Sequence, residues 1–205
     1  MKLRFIALTT ALITSANTAQ AQDFEPYAGI GLGMFGLELK APGVNQKNNV
    51  FGGYAKVGAN FNEYFAAELR IGTTGKGSSS YPVGTPVKLA SGITVPSPLA
   101  FKYSMQADYF ISYLIKPQYE VAPVLHLHAL LGGTTVKMKG TFSVPGIPNT
   151  NGVASGFSYG AGAEYKLADR MNIGAEWVQY WSDVKTGTSS KARLWGIAGT
   201  VSYNF

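Results

Sequence analysis

Apolar and polar side chains alternate through most of this chain, and they never gather into a run that could cross a membrane as a helix. Beyond residue 21 no apolar stretch approaches the ~18 residues that a helical span requires. A two-residue period places apolar groups on one face of a strand and polar groups on the other. Composition then points to lipid as the medium on the apolar face: 25 Gly, 12 Tyr and 11 Phe accompany only 14% charged residues. A membrane protein can stay so weakly apolar overall when its apolar residues alternate with polar ones, as in a β-barrel, and not when it spans as a helical bundle.

Eight segments carry the pattern. From Tyr27 to Leu39, Gly29, Gly31, Gly33 and Phe35 oppose Ile30, Leu32 and Met34. From Val50 to Phe61, Phe51, Ala55 and Val57 oppose Tyr54 and Lys56. Phe65, Ala67, Leu69 and Ile71 then oppose Ala66, Glu68 and Arg70. In the fourth segment the outward set reads Phe101, Tyr103, Met105, Ala107, Tyr109, Ile111 and Tyr113, against Lys102, Gln106, Asp108 and Ser112; Phe110 and Leu114 interrupt the polar face. The fifth sets Leu125, Leu127 and Leu131 outside, with His126, His128 and Thr134 inside. The sixth sets Phe157, Tyr159 and Tyr165 outside, with Ser158 and Glu164 inside. The seventh sets Ile173, Trp177 and Trp181 outside, with Glu176 and Tyr180 inside. The last runs from Trp195 through Ile197 and Val201 to Tyr203 and Phe205.

Gap lengths orient the barrel. Residues 61–65, 116–123 and 168–171 are short connections, whereas 40–49, 74–100, 137–153 and 183–190 are mostly longer and rich in Gly, Pro, Ser and Asn. Short turns belong to the periplasmic side and long loops to the outside. Aromatics then sort into two belts. Phe61, Phe65, Tyr113, Tyr165, Tyr203 and Phe205 fall on the periplasmic rim; Phe51, Phe101, Tyr103, Phe157, Trp177, Trp181 and Trp195 fall on the outer one. Within the loop from Thr74 to Ala100, Val87-Lys88-Leu89 and Ile93-Thr94-Val95 are expected to form a short extracellular hairpin, each arm below the roughly nine to eleven residues a spanning strand needs, with a ten-stranded barrel as the alternative.

The first residues read as an export signal. Lys2 and Arg4 precede the short apolar run Phe5–Ile13, and Ala19-Gln20-Ala21 supplies small residues for cleavage before Gln22. The expected domains are a signal peptide over 1–21 and a barrel over 22–205. Cysteine is absent, which excludes disulfides, thiolate metal sites and cysteine nucleophiles.

Candidate site residues fall into two sets. Lys56, Glu68, Arg70, Asp108, His126, His128, Glu164 and Glu176 have interior parity. The lumen of an eight-stranded barrel is just wide enough to be filled by side chains, so these charges are expected to pair, with the three glutamates sharing Arg70 and Lys56. The same groups could alternatively line a narrow pore. His126 and His128 share a face, but two imidazoles without a third ligand do not make a metal site. No nucleophile elbow is present, and no cofactor is called for. The second set, Lys40, Lys47, Lys76, Lys88, Lys102, Lys137, Lys139, Lys185, Lys191 and Arg193, maps to the outer rim and loops, where only Glu38 and Asp183 oppose it. Contact with anionic lipopolysaccharide follows as an electrostatic expectation. Nucleic acid is excluded as a natural partner by location.

The stretches Tyr27-Ala28-Gly29-Ile30-Gly31-Leu32-Gly33, Tyr64-Phe65-Ala66-Ala67-Glu68-Leu69-Arg70, Gly160-Ala161-Gly162-Ala163-Glu164-Tyr165 and Val201-Ser202-Tyr203-Asn204-Phe205 together resemble the small outer-membrane β-barrel superfamily, which includes porin-family and opacity-type proteins. The resemblance implies an all-β, eight-stranded antiparallel up-and-down transmembrane barrel in the outer membrane of a Gram-negative bacterium. It also implies that Tyr203 and Phe205 form the terminal signal read by the barrel-assembly machinery, with periplasmic chaperones as further biogenesis partners. It does not settle an activity. Relatives include adhesins, envelope-stabilising proteins, narrow channels and lipid A-modifying enzymes. The residues favour a non-enzymatic barrel that displays basic loops, with outer-membrane lipids and an extracellular ligand as partners.

Overall fold

The computed structural model describes residues 24–41, 44–88, 94–144, 149–185 and 191–205. The expected signal peptide lies outside these described residues, as does the tip of the expected extracellular hairpin. The strands are β1 (Glu25–Ala41), β2 (Val44–Asn60), β3 (Phe65–Thr74), β4 (Gly77–Tyr81), β5 (Pro86–Lys88), β6 (Thr94–Pro96), β7 (Phe101–Ala122), β8 (Leu125–Phe142), β9 (Thr150–Ala168), β10 (Met171–Lys185) and β11 (Lys191–Asn204).

Every pairing is antiparallel, and the ring closes where β1 meets β11 from Tyr27↔Asn204 to Lys40↔Lys191. Both β3 and β4 pair with β7, through Gly72↔Phe110 and Gly77↔Met105, so they form one stave interrupted at Gly75 and Lys76. The result is a ring of eight strands, as the alternation predicts. Closure is obligatory in hydrocarbon, where an unpaired peptide group costs several kcal/mol. Near the outer mouth, side chains supplement the ladder between β2 and β4: the Gln46 and Asn48 amides donate to the carbonyls of Gly77 and Ser78, each at 3.2 Å. The β5–β6 hairpin stands apart from the ring, paired through Val87↔Val95, so the 74–100 segment contributes no additional pair of crossing strands.

Side-chain parity follows the sequence over most of the wall. Ile30, Leu32 and Met34, then Val57, Leu69, Ile71, Ile197 and Val201, are exposed on the outside, and all six aromatics of the periplasmic belt are exposed. Two irregularities overturn part of the expectation. The β7–β8 register shifts between Ala107 and Tyr109, so one extra residue on β7 reverses the parity of everything beyond it. Phe101, Tyr103, Met105 and Ala107 therefore turn inward and are buried, and Asp108, expected in the lumen, faces out. A second shift on β10, between Gln179 and Trp181, brings Trp181 inside with no exposed surface. The outer belt thus keeps Phe51, Phe157, Trp177 and Trp195 and loses Phe101, Tyr103 and Trp181.

Small residues let large inward ones lie across the wall. A Cβ on Gly58 would collide with the Tyr27 ring and come within 2.6 Å of the Ala67 carbonyl. Gly58→Ala is therefore expected to destabilise the barrel by about 1–3 kcal/mol through overpacking, measured as a shift of the urea unfolding midpoint in lipid vesicles.

Candidate functional site

The periplasmic half of the lumen holds a connected set of charges. Lys56 and Arg70 are register partners on β2 and β3, two cations side by side on the inner face. Three glutamates separate them electrostatically. Glu68 meets the Lys56 ammonium at 3.6 Å and accepts from Arg70 Nε. Glu176 accepts from Arg70 through both carboxylate oxygens, the Nη2 bond being 3.0 Å long. Glu164 meets Lys56 at 3.4 Å and Lys116 at 2.6 Å. Three carboxylates thus balance three cations, all of them buried. Desolvating a charge is costly, and only mutual pairing with further hydrogen bonds makes it tolerable.

Tyrosines supply those further bonds. Tyr27 Oη donates to Glu68 at 2.9 Å, and Tyr54 Oη donates to Glu176. The Arg70 guanidinium also lies 4.7 Å from the Tyr54 ring centroid, a cation–π contact. His128 completes the set, its Nε2 lying 3.8 Å from Glu176. It reaches there because Gly162 stands between them in register; a Cβ on Gly162 would come within 2.6 Å of His128 Nε2 and 2.8 Å of the Glu176 Cβ.

The outer half of the lumen is filled differently. Phe35, Phe110 and Tyr180 pack with ring centroids 5.0–6.1 Å apart. Tyr81, Phe101, Tyr103 and Phe142 form a second group nearer the mouth. At the level of Arg70, a hydroxyl chain crosses four strands: Ser112 to Thr134 at 2.8 Å, Thr134 to Ser158 at 2.7 Å, and Ser158 donating to the Tyr180 carbonyl at 2.8 Å. Trp181 Nε1 donates to the Thr134 carbonyl at 2.9 Å, which satisfies a buried indole.

Of the eight residues expected in the lumen, Lys56, Glu68, Arg70, His128, Glu164 and Glu176 meet there. His126 sits at the periplasmic mouth, partly exposed and 3.6 Å from Glu120. Asp108 is corrected to the outside, where it pairs with Lys137 at 3.2 Å. Sequence reasoning missed Lys116, having assigned it to a turn. Strand β7 in fact runs on to Ala122, and continuing the parity of Ser112 and Leu114 by one step would have placed Lys116 inside. Among the described residues no group of three His, Asp or Glu could hold a metal.

On the outside, Lys40, Lys47, Lys76, Lys102, Lys139, Lys185 and Lys191 are exposed, and Lys137 and Arg193 partly so; Lys88 lies in β5. Lys47 pairs with Glu38 at 3.5 Å, and Arg193 grips Asp183 through two bonds of 2.8 and 3.1 Å.

A family model described as the outer membrane protein beta-barrel domain matches residues 5–205. The chain belongs to that family. Its barrel resides in the outer membrane of a Gram-negative bacterium. No protein of curated function matches the sequence. Among solved structures, the barrel is similar to Ail of Yersinia pestis in complex with the heparin analogue sucrose octasulfate, at 19% identity and a TM-score of 0.51, covering 88% of this chain and 99% of that one. It is also similar to Neisserial surface protein A, at 12% identity and TM-score 0.49, covering 89% and 97%. The outer membrane protease OmpT of Escherichia coli is similar at 10% identity and TM-score 0.45, covering 92% and 99%. At these identities the likeness extends to the fold alone.

Replacing Arg70 by Met leaves Glu68 and Glu176 without their shared cation, and about 3–5 kcal/mol of stability is expected to be lost. A second change, Glu176→Met, should restore much of it by removing the stranded charge, as read from urea midpoints of the single and double variants.

Proposed function

We propose that this protein is a non-enzymatic, non-conducting outer-membrane scaffold, and that its basic extracellular surface serves envelope integrity or contact with surfaces outside the cell. One observation carries this reading: the lumen is occupied along its length, by the paired charges on the periplasmic side and by packed aromatics on the outer side. Arg70, Phe110, Leu130 and Trp181 have essentially no accessible surface, as befits plugging groups rather than the lining of a water path. The buried charges serve as mutual counter-ions rather than as solute sites.

The basic excess at the outer end supports the contact role through electrostatics. Ail was solved with a heparin analogue. That likeness is one of fold, so polyanion contact here rests on this chain's own lysines. Enzymatic readings would need an assembled nucleophile or metal, and Lys56, Glu68, Arg70, Lys116, Glu164 and Glu176 are instead engaged with one another.

Planar-bilayer recordings test the proposal directly. No conductance above background is expected; reproducible steps altered by Glu68→Gln would establish the narrow-pore reading instead. Cells displaying the protein should be held by an anionic glycan surface, and a K76Q/K102Q/K139Q variant should be held several-fold less well. Mass analysis of lipid A with and without expression should show one acyl pattern, and a changed pattern would make the protein a lipid-modifying enzyme.

A further inference from the structure

Strand β7 overruns its neighbour at the periplasmic rim. Its pairing with β3 ends at Phe65↔Pro117, level with the aromatic belt, yet the strand continues through Gln118 to Ala122. On its other side this extension stays paired with β8, through Gln118↔His128, Tyr119↔Leu127 and Glu120↔His126. The hairpin therefore reaches roughly 16 Å along the strand past the level of Phe65, with one side paired and the other bare.

Backbone direction decides what the bare side offers. The Gln118 N–H donates to the Tyr64 carbonyl at 2.8 Å, across to the turn between β2 and β3. Peptide groups alternate in direction along a strand, so the N–H and C=O of Glu120 point the same way as those of Gln118. Among the described residues no strand pairs with β7 there. The Tyr64 N–H, placed to serve the Gln118 carbonyl, donates instead to the Asn62 side chain at 2.8 Å. Such an edge is a template for another strand, and proteins ordinarily blunt it with lysine, proline or a covering loop. Here it carries exposed Tyr119 and Val121 beside exposed Tyr64, with Glu120 between them.

The charge around the edge has one sign. Glu63 and Glu120 are exposed, and no lysine or arginine occurs from Val57 to Leu69 or from Pro117 to Val136. Lys116, just inside, is buried and paired with Glu164 at 2.6 Å. Lys166 and Arg170 belong to the β9–β10 end, on the far side of the hairpin, and His126 lies 3.6 Å from Glu120 on the paired side.

We propose that the β7 edge from Gln118 to Ala122 is a docking site for an extended, cationic segment of a periplasmic protein, added as a strand beside Glu120. The segment's backbone pairs with the Glu120 N–H and C=O. Its apolar residues lie against Tyr64, Tyr119 and Val121, and its lysines or arginines meet Glu63 and Glu120. Main-chain pairing supplies affinity, and the alternation of apolar and basic side chains supplies selection. A second copy of this chain fits less well, because it brings the same glutamates to the contact. The site adds a periplasmic partner to a molecule whose other proposed contacts lie outside, and it does not depend on that outer role.

The test uses the full barrel in lipid nanodiscs, which leave both faces accessible, and a fluorescein-labelled short peptide of alternating lysine and valine. Anisotropy should show it bound roughly tenfold more tightly than a glutamate–valine counterpart, or than a version N-methylated on alternate amides that cannot complete the ladder. Glu120→Pro removes an edge N–H that points away from β8, and should abolish binding. E63Q/E120Q should weaken binding several-fold and flatten its salt dependence. Hydrogen exchange at the Glu120 amide should be fast in the free barrel and slowed by the peptide, and heat-modifiable electrophoretic mobility should report folded barrel for each variant. Equal binding of the three peptides, or full retention by both variants, would overturn the proposal. So would a Glu120 amide already protected without peptide, which would show lipid or a second copy covering the edge.

Discussion

Hydrocarbon offers a peptide group nothing to hydrogen-bond with, and the rest of this barrel follows from that deficit. The β1–β11 ladder, fourteen register pairs from Tyr27 to Lys40, joins the two ends of the strand series and removes the edges that lipid could not satisfy. Once the ring is closed at eight strands, alternate side chains are forced into a space only as wide as the side chains themselves. Every inward residue must then fit its neighbours in volume and in charge.

The interior meets that demand in two layers. Near the periplasm, Lys56, Arg70 and Lys116 are interleaved with Glu68, Glu164 and Glu176, and Tyr27 and Tyr54 take up further carboxylate oxygens. Toward the outside, Phe35, Phe110, Tyr180 and Trp181 fill the lumen with rings. Tyr54 belongs to both layers: its hydroxyl bonds Glu176 and its ring packs edge-on against Phe110, 6.4 Å away. The charged layer sets three carboxylates against three cations.

Alternation is a local property, so much of this architecture is legible in the chain itself. Strand number, the periplasmic aromatic belt and the inward placing of Glu68, Arg70, Glu164 and Glu176 all follow from counting in twos, whereas the loop expected over 40–49 is a continuation of the wall, because β1 runs to Ala41 and β2 begins at Val44. The aromatic residues Phe101, Tyr103 and Trp181 mislead that counting for a physical reason. A bulge slips the phase by one without disturbing the alternation on either side, so an apolar face reads the same whether it meets lipid or packs into the lumen. Lys116 is hidden by the neighbouring proline, which suggests a turn where the strand continues.

The amino-acid order alone therefore determined that the chain must close on itself in a membrane, which way up it sits, and that charges would be shut inside, because each of these depends on side chains near one another in sequence. Which charge meets which was decided only by tertiary structure. Lys56 and Glu164 stand 108 residues apart, and Lys40 opposes Lys191 only because β1 meets the last strand in one particular register. Register is a property of two strands together, set by how their inward side chains fit in a shared lumen, and neither strand carries it alone.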